Sequence, residues 1–106
     1  MNPRIPADYD EVARWIENFA ASHAKRVHLR IAPTLETGDE REGRSYGLRL
    51  VLNGVTRPAA GRPPLEFGYT DVAAGRTRFA WCEALAQRFR DEARQLVVDA
   101  RESRTA

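Results

Sequence analysis

Lysine and cysteine are almost missing from this chain: Lys25 and Cys82 are the single examples in 106 residues. One cysteine excludes an internal disulfide and a multi-cysteine metal site, and fits a reducing compartment. No apolar run is long enough to cross a bilayer, and the start, Met1-Asn2-Pro3-Arg4-Ile5-Pro6, lacks the apolar stretch of a signal peptide. The expected location is therefore cytoplasmic, without a membrane partner. Also missing are a Gly-x-Ser-x-Gly nucleophile elbow, a phosphate loop and a dinucleotide fingerprint. His23 and His28 have no cysteine or carboxylate at ligand spacing, so neither a metal nor a cofactor is expected. Asp39, Glu40 and Glu42 fall in a polar stretch that offers no burial to tune a catalytic carboxylate. Together these absences point away from an enzyme.

What is present is a soluble composition, 42% hydrophobic and 30% charged, in a length that sets the expectation of one domain over residues 1–106. Sixteen arginines accompany the one lysine, yet the net charge is only +2, so any acidic partner must be recognised by how the cations are arranged. Arginine is the better bidentate ligand for phosphate and carboxylate. GC-rich coding produces the same composition without any ligand.

Asp8 stands where it can cap a helix whose first turn carries Asp10 and Glu11. Val12, Trp15, Ile16, Phe19 and Ala20 then recur at spacings of three and four, which is one apolar helix face. From Lys25 the period changes to two: Val27, Leu29 and Ile31 alternate with Arg26, His28 and Arg30, predicting a strand that ends near Pro33. A second strand is predicted over 45–53, where Tyr46, Leu48, Leu50 and Leu52 share a face and Arg49 takes the other. The prolines and glycines of residues 54–64 read as a long mobile loop, and Leu65, Phe67 and Tyr69 as a short third strand. A long helix follows from Asp71 or Thr77, with Phe79, Cys82, Ala86, Phe89, Ala93, Leu96 and Ala100 forming a heptad-like seam. Residues 1–7 and 102–106 are expected to be flexible. The predicted fold is an α+β two-layer sandwich, α-β-β-β-α, with a three-stranded antiparallel sheet and both helices on one face.

Three groups of candidate binding residues emerge. Arg26, His28, Arg30 and Arg49 would form a basic outer face of the sheet, suited to phosphate or an acidic protein surface. Arg57 and Arg62 in the long loop would converge with Arg76 and Arg78 at the head of the last helix if the loop folds toward it. Trp81 lies off the seam, where it could anchor an interface or pack against the sheet edge. Cys82 falls on the seam and reads as a buried hydrophobe.

The predicted helix-strand-strand-strand-helix order resembles the double-stranded RNA-binding domain. In that family a lysine cluster opens the last helix, to which Arg76 and Arg78 would correspond; Phe79 and Trp81 depart from the pattern. The stretch Phe79-Ala80-Trp81-Cys82-Glu83-Ala84-Leu85-Ala86 resembles, in texture, small Arg- and Ala-rich proteins of Burkholderia and related bacteria. The expected function is a non-catalytic protein-interaction domain, with a protein partner or a homodimer formed through the last helix. The alternative is a nucleic-acid-binding module; an enzyme without a recognisable motif comes third.

Overall fold

Strand β2 (Ser45–Leu52) organises the molecule. Its strict alternation puts Tyr46, Leu48, Leu50 and Leu52 on one face, and all four are buried at 2% exposure or less. In the computed structural model, which describes residues 5–105, the chain is α+β, with three α-helices and an open four-stranded antiparallel sheet. The elements run α1 (Tyr9–Lys25), β1 (Ala32–Glu36), a 3-10 turn (Asp39–Arg41), β2, β3 (Val55–Arg57), β4 (Leu65–Gly68), α2 (Tyr69–Gly75) and α3 (Phe79–Thr105).

β1 pairs along one edge of β2, from Ala32 opposite Val51 to Glu36 opposite Gly47. The other edge is shared: β3 pairs with Leu50–Leu52 and β4 with Ser45–Leu48. Only Arg49 is left without a partner on that edge, because residues 58–64 leave the sheet there before returning as β4. The sheet therefore has four strands where three were expected. The added one, β3, lies inside the stretch read as a loop. Asn53 and Gly54 both take left-handed backbone, with φ of 51° and 80°, as a two-residue hairpin turn of the primed type requires.

The first strand also starts later than its alternation suggested. Helix α1 continues through Lys25, and the amides of Val27 and His28 both donate to the carbonyl of Ala24. Residues 26–30 form no strand, Leu29 is 82% exposed, and the strand begins at Ala32. Pro33 lies within β1, which is an edge strand and so can lack an amide hydrogen. Arg26, His28 and Arg30 are consequently not on the sheet. The face away from the core carries Ala32, Thr34 and Glu36 from β1, Gly47, Arg49 and Val51 from β2, Thr56 from β3 and Glu66 from β4. It is small and mixed in charge, not basic.

α1 packs on β1 and β2, α3 packs on β2 and β3, and the two helices pack on each other. α1 buries Val12, Ala13, Ile16, Ala20 and Ala24; α3 buries Leu85, Ala86, Phe89, Ala93, Leu96 and Ala100. The seam read from the sequence is thus buried from Ala86 onward. Phe79, placed at its head, is 81% exposed, and Cys82 is half-buried. α3 continues through Thr105, beyond Ser103 where disorder was expected, and residues 101–104 are exposed. Residues 1–4 and 106 of the ends expected to be flexible lie outside the described residues.

Asp8 occupies the N-cap position of α1 but makes no side-chain cap. Its carboxylate instead accepts from the hydroxyl of Tyr69 and lies 3.9 Å from Arg76. The three tyrosines meet at this end: Tyr9 stacks on Tyr46 with centroids 4.6 Å apart, and Tyr69 lies 6.2 Å from Tyr9. The Tyr46 hydroxyl donates to the carbonyl of Tyr9 at 2.8 Å, and that of Tyr9 to the carbonyl of Ser45. Burial pushes the Tyr9 and Tyr46 phenols above their ordinary range. No helix among the described residues is long and apolar enough to cross a membrane.

Candidate functional site

The candidate arginines do not converge. Arg57 sits on β3 and points toward α3, where its Nε is 2.7 Å from Glu92 and an Nη is 3.4 Å from Asp99. Arg62 is exposed in the 58–64 loop and lines a cleft with Arg57, Thr56, Leu65, Glu92 and Asp99. Arg76 pairs with Asp8, and Arg78 is exposed just before α3. Glu92 is thirteen residues into α3, roughly 20 Å along its axis from the helix start. The loop cations and the helix-head cations therefore occupy separate places.

Arg49 lies on the outer sheet face as expected, but its guanidinium is committed. It donates to the carbonyls of Pro58 and Ala59 at 3.1 and 2.9 Å, gripping the excursion that faces it. Trp81 is half-buried. Its ring lies on Gly75, at the end of α2, and 6.1 Å from Trp15 of α1, so it packs within the monomer.

Two other clefts each bring a histidine together with arginine. The first is a groove of about 310 Å³ between α1 and α3, lined by Phe19 and His23 from α1 and by Phe79, Cys82, Glu83, Ala86 and Arg90 from α3. Helical spacing places these α3 residues on one ridge, at steps of three and four. His23 leans on Phe19 with ring centroids 4.6 Å apart, and its Nδ1 is buried without a hydrogen-bond partner among the described residues. Burial first, then the nearby charges of Arg26 and Arg90, lower the pKa of this imidazole and favour its neutral form. The Cys82 sulfur lies 3.5 Å from the carbonyl of Arg76 and 3.6 Å from that of Gly75, where its thiol can donate to the end of α2. Among the described residues, no three His, Cys, Asp or Glu side chains come together as a metal-binding group.

The second is a smaller cleft of about 120 Å³ at the far end of α3. His28, from the turn after α1, meets Asn53, from the β2–β3 turn, and Arg101 and Arg104 there. Leu52, Val97 and Ala100 complete its lining. Neither Arg101 nor Arg104 was singled out by the sequence; both fall in or beside the end expected to be flexible. The signal that could have found them is the i, i+3 spacing of two arginines in a last helical turn, which puts them on one side.

No protein-family model matches this chain, and neither the curated proteins nor the solved structures give a significant match.

Proposed function

We propose that this is a non-catalytic protein-interaction domain that associates with a second copy of itself through the groove at the head of α3. In this reading both long helices cover one face of the sheet as a two-layer sandwich, and the partner docks on the outer side of the helix pair. The observation that carries it is Phe79, a large apolar side chain 81% exposed beside an aromatic-lined groove. Aromatic anchors flanked by charge are what protein interfaces concentrate, and here Glu83 and Arg90 supply opposite charges along the same ridge. The outer sheet face favours the helix side by contrast, since apart from Val51 its central positions are small, polar or already committed to internal bonds.

Light scattering over a range of concentrations tests the proposal. The wild-type mass is expected to rise toward twice the monomer, and Phe79→Asp to hold the monomer mass with an unchanged thermal midpoint, because its side chain packs on little in the single chain. A wild-type protein that stays monomeric at every concentration removes the reading.

A further inference from the structure

We propose that the cleft formed by His28, Asn53, Arg101 and Arg104 is an oxyanion site that takes a phosphate group. Three elements far apart in sequence bring these four side chains to one place: the turn after α1, the β2–β3 hairpin and the last turns of α3. All four are hydrogen-bond donors, and among the described residues no carboxylate lines the cleft. In this it differs from the clefts lined by Arg14, by Arg57 and Arg62, by Arg88 and by Arg90, each of which also has a carboxylate in its lining. Arg101 and Arg104 have no ion pair among the described residues. Glu102, on the same turn, is not part of the lining.

The imidazole is oriented for the task. His28 accepts the amide hydrogen of Arg30 at Nδ1, 3.1 Å away, so the neutral ring carries its proton on Nε2 and offers it as a donor. The hairpin fixes Asn53 in left-handed backbone, which holds its short side chain at the tip of the turn. Two guanidiniums, an amide and an imidazole match a tetrahedral oxyanion, which accepts several bonds from donors of different height. The site works through side chains alone, since the carbonyl end of a helix repels anions and favours cations.

Size narrows the ligand. About 120 Å³ is well below the volume that encloses a nucleotide or a drug-sized molecule, so only the phosphate group is enclosed and the rest of its carrier stays outside. The source is either free phosphate or a nucleic-acid backbone. Arg26 and Arg30, exposed on the turn that carries His28, extend the positive surface that a backbone would follow.

The test is a titration of the isotopically labelled protein with inorganic phosphate, followed by NMR of the His28, Asn53 and arginine side chains, with chloride at matched ionic strength as reference. Saturable shifts confined to His28, Asn53, Arg101 and Arg104 are expected. The double variant Arg101→Gln, Arg104→Gln should weaken binding about tenfold or more, since two charge-assisted bonds are lost. A second double variant, Arg62→Gln and Arg78→Gln, removes the same net charge elsewhere and should bind as the wild type does. A single-stranded DNA oligonucleotide that binds more tightly than phosphate, and is displaced by it, identifies the backbone as the source; equal affinity identifies free phosphate. Shifts that never saturate, or that weaken equally in both double variants, overturn the assignment. All four substitutions are at exposed side chains, so loss of fold does not obscure the result.

Discussion

The guanidinium of Arg41 lies over the α-carbon of Gly47, in the volume that a side chain at position 47 would fill. The two cross-strand neighbours of Gly47 are Glu36 on β1 and Glu66 on β4, and Arg41 bonds both, at 3.4 and 2.7 Å. Arg41 also donates to the Ser45 hydroxyl at 3.0 Å, which ties the 3-10 turn to the start of β2. A row of acid, arginine and acid thus crosses the outer sheet face where the sequence suggested a row of cations.

Gly47→Ala is expected to destabilise the fold by about 1–3 kcal/mol, because the added methyl meets Arg41, Glu36 and Pro64 in a filled space. Arg41→Met in the same chain should relieve part of that cost. A double-mutant cycle by urea unfolding would then show a coupling of about 0.5–3 kcal/mol between the two sites. Strict additivity would mean that Arg41 yields freely to the methyl.

Acidification should weaken the fold in two stages. Unfolded His23 takes up a proton near its ordinary value of 6.5, whereas the folded residue, lowered by burial and by Arg26 and Arg90, takes it up only at lower pH. The unfolded state therefore holds more protons in that window, and stability falls as pH drops below 6.5. The Glu66 carboxylate, held below its ordinary 4.5 by the hydrogen bond from Arg41, adds a second loss once the pH falls below that value. Unfolding midpoints measured from pH 7.5 to 3 should show the first stage abolished by His23→Phe and the second reduced by Arg41→Met. Profiles identical to wild type would remove these groups as the cause.

Much of this architecture was written in local pattern. The alternation of Tyr46 to Leu52 and the three-and-four spacing from Ala86 to Ala100 describe faces that are buried as read, because each pattern matches the period of its element. The alternation of Val27, Leu29 and Ile31 was equally regular, yet helix α1 competes for the same residues and its last carbonyls hold the amides of Val27 and His28. Inward positions keep the expected parity, through Ile31, Pro33 and Leu35, but the strand lies further along. The Asn53-Gly54 pair was a local signal for β3, outweighed by the prolines that follow it. Arg41 over Gly47 and the cleft of His28 with Arg101 and Arg104 could not be read, since each depends on the pairing of distant segments. The basic residues of the turn were legible as candidates while their surface was not.

Arg49 should be the latch of the 58–64 excursion. Arg49→Leu removes two hydrogen bonds to backbone carbonyls and is expected to cost about 1 kcal/mol of global stability, because the loop is exposed and water replaces the lost partner. The larger effect should be local. Hydrogen exchange in residues 59–62 is expected to accelerate while that of β2 and β4 stays as in the wild type. Unchanged exchange in the loop would show that packing alone holds it.

One close approach lies at the break between α2 and α3, and it makes the last prediction. A Cβ at position 75 would penetrate the indole of Trp81, whose ring also lies 6.1 Å from that of Trp15. Gly75 is buried, and the Trp81 ring lies on it with Trp15 of α1 nearby, so the indole has to leave this packing to make room. Gly75→Ala should therefore cost about 1–3 kcal/mol and shift tryptophan emission to longer wavelength as the ring is displaced toward water. Trp81→Leu in the same chain should accept the methyl with a smaller loss, because the shorter side chain leaves space over residue 75. If Gly75→Ala is harmless while Trp81 keeps its emission, the end of α2 is free to move, and the close approach is not what separates the two helices.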